Sequence, residues 1–128
     1  MYLVSWLEEE AKVEASLGGR VTKEEVWVFS EELKDIAASM FEPYLVLLDI
    51  SRAQHFDSGA LDLLSSLKDY CLESGAAKVV TIARNESEKH DMTANRLQMV
   101  LEGREEYVLD TDHFHWAPAQ SSAERKAA

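Results

Sequence analysis

Single polar residues separate apolar residues along the first part of the chain. The apolar residues with this spacing are Val4, Trp6, Val13, Ala15 and Leu17. A period of two places alternate side chains on opposite faces of a strand. The pattern therefore predicts two edge-type strands, joined at residues 8–10 and ended by the glycine pair at 18–19.

The next segment has the period of a helix. The stretch from Thr22 to Glu25 has the spacing of a capping box, in which the threonine oxygen accepts from the amide of Glu25 and the glutamate reaches back. Apolar residues then recur every three or four positions, at Val26, Phe29, Leu33, Ile36 and Met40. The β-forming residues at 26–29 leave a short strand as an alternative. Trp27 is expected at the core periphery, whereas an exposed Trp27 would indicate a docking or dimer face.

The remaining elements alternate between strand and helix. Residues 44–50 form an apolar run broken only by Asp49, which is typical of a central strand. The next helix carries Ala60, Leu64, Leu67 and Cys71 and ends at Gly75, the following strand spans 78–83, a third helix carries Met92, Leu97, Val100 and Leu101 and ends at Gly103, and a last strand covers 107–109. This order predicts an α/β fold with a mixed, mostly parallel sheet of about five strands and helices packed on it. We expect one domain over residues 1–116 and a flexible tail over 117–128.

Composition narrows the possible functions. The 128 residues, 46% of them apolar, can bury one core, and 24 acidic against 13 basic residues give a net charge of −11. That charge opposes binding to nucleic acid or to an anionic membrane. The single Cys71 forms no intramolecular disulfide and is expected as a small buried hydrophobe in a cytoplasmic protein. No leader or membrane-spanning segment is predicted.

A serine lies where the apolar strand at 44–50 gives way to a helix. Asp57 is a good N-cap residue, so Ser58 is expected at the first helical position with its hydroxyl outward, beside Gly59, which cannot shield it. The ends of strands that face helix N-termini form the ligand-facing edge of such a fold. Asp57 and Ser58 either cap the helix only, or present the hydroxyl to a partner.

The spacing around Ser58 resembles the STAS domain of bacterial anti-sigma factor antagonists. In that family an apolar strand ends in Asp or Asn, and about eight residues later Asp-Ser-Ser/Thr/Ala-Gly-Leu opens a helix that stops at glycine before another apolar strand. Here residues 45–49 end in Asp49, residues 57–61 read Asp-Ser-Gly-Ala-Leu, and the helix runs to Gly75. Residues 17–22 and 101–103 resemble further family motifs, so the resemblance covers residues 2–112. This chain departs from the pattern at Gly59, Ala60 and, more mildly, Phe56.

The resemblance implies a regulatory binding protein without catalytic residues, cofactor or metal. It implies that Ser58 is phosphorylated by a serine-kinase anti-sigma factor and restored by a PP2C-type phosphatase, and that the unmodified protein binds the kinase. The residues expected at the partner surface are Arg20, Thr22, His55, Asp57, Ser58, Gly59 and Asp62. His55 either flanks this surface or lies in a solvated loop. A monomer or weak homodimer is expected.

Two other classes of function remain as alternatives. Residues 43–50 also resemble the phosphoacceptor strand of a response-regulator receiver, with Asp49 as acceptor, although the acids at 8–10 only imitate its magnesium ligands and acids at 110–112 replace its lysine. An acyl-transfer enzyme would need a Gly-x-Ser-x-Gly elbow, which the flanks of Ser58 do not form. His113 and His115 could bind a metal, but no third ligand is evident, and Trp116 beside them fits edge packing.

Overall fold

The computed structural model describes residues 1–110, which form a five-stranded sheet with helices packed on it. The elements in chain order are β1 (Tyr2–Leu7), a 3-10 turn (Glu8–Glu10), β2 (Lys12–Val21), α1 (Lys23–Ala38), β3 (Tyr44–Phe56), α2 (Ala60–Glu73), β4 (Ala76–Ala83), α3 (Glu86–Asn95), α4 (Leu97–Leu101) and β5 (Glu105–Leu109). This order confirms the predicted alternation of strands and helices. No helix within residues 1–110 is long and apolar enough to span a membrane. The proposed tail at 117–128, and His113, His115 and Trp116, lie outside the described residues.

The strands follow each other across the sheet in chain order, from β1 to β5. β1 is antiparallel to β2, whereas β2, β3, β4 and β5 are parallel neighbours. The prediction that β2 is an edge strand was wrong, because β3 pairs with its second side. The carboxyl ends of β2, β3 and β4 therefore meet at the same edge of the sheet.

The core lies between one face of the sheet and the helices. Alternate residues of β2, β3 and β4 point into it, including Val13, Val46 and Val79, and α1 contributes Phe29 and Leu33. Each of these five side chains is buried. The amphipathic period read from the sequence thus identified the packed side of α1, and residues 26–29 are helical rather than extended.

β2 and β3 run farther than their apolar patterns predicted. The strand pair continues past Ser16 and Asp49 to Val21 and Phe56, with irregular register around the glycine pair. Gly19 has a φ of 68°, a conformation that glycine adopts without a steric penalty, so the pair forms a bulge within β2 instead of ending it. His55 consequently lies in a strand and not in a loop.

The third predicted helix is two helices. α3 begins within the polar stretch, where the Asn85 side chain accepts from the amide of Glu88, and Arg96 breaks the helix before α4. Leu97 and Leu101 are exposed, whereas Met92 packs against the core as predicted, together with Met99, which the prediction did not include. The polar composition of residues 84–90 concealed a helix whose first turn is capped and acidic, both of which favour a helix start.

Candidate functional site at the Ser58 turn

The site lies at the carboxyl edge of the sheet, where β2 and β3 end side by side. Arg20 pairs with His55 and Val21 with Phe56 in the strand register, and the amide of Asp57 donates to the carbonyl of Val21 at 2.9 Å. α1 begins directly after β2, and α2 begins a few residues after β3. The fold thus brings two strand ends and two helix N-termini to one place.

Asp57 joins the two strand ends and does not cap α2. Its Oδ1 accepts from Arg20 Nε at 3.1 Å, and His55 Nε2 lies 3.6 Å from the same oxygen. No side chain caps α2, so the predicted N-cap role of Asp57 was wrong. The pairing of β3 with β2 carries Asp57 next to Arg20, and an ion pair across the strands replaces the cap.

Gly59, one of the departures from the STAS motif, is the N-cap residue of α2. Its φ is 84°, in the left-handed region that residues with a β-carbon rarely adopt. The amide of Ala60 donates to the carbonyl of Asp57 at 3.0 Å and closes the turn. Ala60 is the first helical residue and is fully buried. The glycine therefore occupies the position that this turn requires.

Ser58 lies within that turn and is exposed. It precedes the helix, and the prediction of a first helical position was wrong by two residues, because the turn uses Gly59 as the cap. An exposed side chain between a strand and a helix N-terminus is accessible to another protein. The condition for a surface switch, a hydroxyl outside the core, is met.

Basic side chains lie close to the turn. Lys23, the first residue of α1, extends over Gly59, and its Nζ lies 3.7 Å from the position of a β-carbon on Gly59. Arg20 is largely exposed while it holds Asp57. Asp62, on the first turn of α2, is exposed as well. Acidic and basic groups are therefore mixed here, although the whole chain is strongly acidic.

Asp49 does not belong to this site. Its Oδ1 accepts from the amide and the hydroxyl of Ser51, at 2.9 and 2.6 Å, and the side chain lines a depression with Leu3 and Ser16 near β1.

Thr22 and Phe56 have local structural partners. Thr22 Oγ1 accepts from the amide of Glu25 at 3.0 Å, which confirms the threonine half of the predicted capping box. The carboxylate of Glu25 instead pairs with the amino group of Met1. The guanidinium of Arg84, at the end of β4, stacks on the ring of Phe56 at 4.8 Å, so a large aromatic residue before Asp57 is accommodated.

Trp27 is 58% exposed, so its expected place at the core periphery was wrong. It lies one helical turn after Lys23 on α1 and lines a small groove between α1 and α2, with Leu63 on the opposite wall. Leu61, three residues after Ser58, is also exposed. Large exposed apolar side chains beside a candidate switch are typical of a protein interface.

A buried ionic cluster lies between α2, Arg96 and β5, and the sequence interpretation missed it. Lys68 Nζ donates to Tyr107 Oη at 3.2 Å, Tyr107 donates to buried Glu105 at 2.6 Å, and Arg96 pairs with Glu105 and Asp69. Burial lowers the pKa of Lys68 to about 8. The signal was a lysine four residues after Leu64 on the apolar stripe of α2.

Burial also changes the ionisation of two other groups of the core. It raises the pKa of the Cys71 thiol to about 11 and that of Tyr44 to about 12. Cys71 is almost fully buried, as predicted, so its thiol is a packing group.

Within residues 1–110 no cluster of three or more His, Cys, Asp or Glu side chains could hold a metal ion.

Comparison with solved structures identifies the fold. The structure of the anti-sigma factor antagonist SpoIIAA in its unphosphorylated form aligns with a TM-score of 0.57 and 9% identity over 100% of this chain and 99% of that one. The phosphorylated form of the Bacillus cell fate determinant SpoIIAA aligns with a TM-score of 0.59 and 10% identity, over 98% and 99% of the two chains. An uncharacterized DUF3478 family protein from Shewanella loihica PV-4, described as having a SpoIIAA-like fold, aligns with a TM-score of 0.60 and 15% identity over 88% of each chain.

Neither a family model nor a curated protein matches the sequence. The structural likeness shows that the chain has a SpoIIAA-like fold, which agrees with the resemblance of its motifs to the STAS domain. The receiver alternative is not supported, because receivers have the strand order 2-1-3-4-5, whereas the order here is sequential and β1 is antiparallel.

Proposed function

We propose that the protein is a regulatory binding protein of the anti-sigma factor antagonist type, without catalytic activity of its own. In this proposal the unmodified protein binds a serine-kinase anti-sigma factor, phosphorylation of Ser58 by that kinase releases it, and a PP2C-type phosphatase restores binding. The observation that carries the proposal is the exposed Ser58 in the turn between β3 and α2, on the fold of an anti-sigma factor antagonist.

The proposed partner surface centres on this turn. It combines the switch residue with the exposed apolar side chains of Trp27 and Leu61, and with the basic group of Lys23. Aromatic residues that become desolvated on binding contribute much of the affinity in protein interfaces. Arg20 and Asp57 link the two strand ends, and His55 lies beside Asp57 on the β3 side. These residues therefore position the turn and border the contact surface.

Phosphorylation acts on the interface and leaves the fold unchanged in this mechanism. A phosphate adds about −1.5 to −2 charges, and the nearby α2 N-terminus and Lys23 ammonium both favour an anion. A partner carboxylate at about 4 Å from the phosphate would lose on the order of 4 kcal/mol per charge pair at an effective dielectric constant near 20. That free energy corresponds to roughly a 10³-fold loss of affinity.

Two substitutions at Ser58 test the proposal. Ser58→Ala is expected to keep binding to the kinase in the presence of ATP, whereas Ser58→Asp is expected to bind weakly, as measured by calorimetry. Ser87→Asp is the matched control, because Ser87 is also exposed and lies in the first turn of another helix, α3. Equal affinities for Ser58→Ala and Ser58→Asp would overturn the charge mechanism. A comparable loss from Ser87→Asp would show that the effect is not specific to the turn.

A further inference from the structure

β1 leaves one row of backbone groups without a partner strand among residues 1–110, since it is the first strand of the sheet. The amide of Gly18 donates to the carbonyl of Met1 at 2.8 Å, and the Met1 amino group donates to the carbonyl of Gly18 at 3.1 Å. Hydrogen-bonded pairs alternate along an antiparallel ladder. Leu3 therefore directs its backbone groups to β2, as do the residues two and four positions later. Tyr2, Val4 and Trp6 direct theirs to the outer edge.

This edge lacks the features that normally prevent pairing. β1 reads Tyr-Leu-Val-Ser-Trp-Leu, without a charge or a proline, and pairs with β2 in unbroken register. Edge strands are usually blunted by lysine, proline, bulges or short length. Leu3 is 69% exposed and Trp6 is 42% exposed. The opposite edge strand, β5, begins instead with Glu105 and Glu106.

We propose that β1 is a homodimerisation edge, which pairs antiparallel with β1 of a second copy about a two-fold axis at Val4. The outward-facing residues are spaced evenly around Val4, so this register aligns Val4 with its own copy and Tyr2 with Trp6 of the other. All three residues then exchange both backbone hydrogen bonds, and two five-stranded sheets become one continuous sheet. The same register places an aromatic pair across the seam, which favours a second copy over an unrelated strand.

Charge limits the strength of this dimer. The protein carries a net charge of −11, and Glu25 and Glu32, which contact Met1 and Tyr2, lie close to the edge. Like charges on the two copies oppose pairing, and salt screens that repulsion. The dimer is therefore weak at low ionic strength and becomes stronger as salt is added.

Amide hydrogen exchange of the wild-type protein, followed by NMR, tests this register. Between about 10 μM and about 1 mM protein, a range that brackets weak association, exchange at Tyr2, Val4 and Trp6 is expected to slow with concentration. Exchange at Leu3 and Ser5 is expected to stay the same, because β2 already protects their amides. Exchange at the outward amides that is independent of concentration at low and high salt would overturn the proposal. That result is expected if the edge stays unpaired or if it binds a different protein and not a second copy.

A proline substitution gives a second test by sedimentation equilibrium. Val4→Pro removes only an outward amide, and proline is tolerated on edge strands at such positions. It is expected to yield a monomer at concentrations where the wild type dimerises. Leu3→Ala is the matched control, because it shortens an exposed side chain of the same strand and keeps every backbone donor. Dimerisation by Val4→Pro, or its loss in Leu3→Ala alone, would contradict backbone pairing in this register.

Discussion

Replacement of Gly59 by alanine tests the geometry of the Ser58 turn. Gly59 has a φ of 84°, and a left-handed conformation costs a residue with a β-carbon roughly 1–2 kcal/mol. The new β-carbon would lie 3.4 Å from Lys23 Cδ, at the edge of ordinary contact with a flexible side chain. Backbone strain therefore dominates, and Gly59→Ala is expected to lower the free energy of unfolding by about 1–2 kcal/mol.

The assay is urea unfolding of Gly59→Ala and of the matched control Gly103→Ala. Gly103 has a φ of 75° and open space around it, so the control carries a similar backbone penalty far from the turn. Both variants are expected to lose similar stability, but only Gly59→Ala is expected to reduce kinase binding, because it displaces Ser58. A Gly59→Ala variant as stable as the wild type would refute the assignment of Gly59 as a left-handed cap.

Three further predictions concern the helix start, the proposed interface and the buried lysine. Thr22→Ala should lose about 1 kcal/mol in urea unfolding and Thr22→Ser should not, because only alanine lacks the capping oxygen; equal losses would contradict the cap. Trp27→Ala should weaken kinase binding about 10-fold or more in calorimetry, whereas Leu101→Ala, also at an exposed apolar residue, should not; parallel losses would argue against a localised interface. The pKa of Lys68 is about 8 in the folded chain and has its ordinary value of 10.5 in the unfolded chain, so the unfolded chain binds more protons between these two values. Stability should therefore rise with pH from 8 to 9, before the raised pKa of Cys71 opposes it. Lys68→Met should abolish that rise, which amounts to at most about 1 kcal/mol over this pH unit, and an unchanged slope would contradict the burial effect.

Local patterns predicted the elements of this protein well. The alternation at Val13, Ala15 and Leu17 and the helical spacing at Val26, Phe29 and Leu33 each arise because one side of an element packs against the core. These patterns are recorded in neighbouring residues, so they can be read without knowledge of the fold.

Features that depend on distant residues could not be read in the same way. The extension of β3 to Phe56 depends on pairing with β2, and the ion pair between Asp57 and Arg20 follows from that register. The exposure of Trp27 depends on where α2 lies relative to α1. The position of Ser58 at a strand-to-helix junction was predicted, whereas the cap and the basic neighbour Lys23 required the structure.

The most direct test of the account is phosphorylation of the intact protein by the serine-kinase anti-sigma factor with ATP, with mass mapping of the product and calorimetry of its affinity for the kinase. We expect one phosphate on Ser58 and an affinity lowered by roughly 10³-fold, with a cooperative unfolding transition retained. Modification at another residue, or a Ser58-phosphorylated protein that binds as tightly as before, would contradict it.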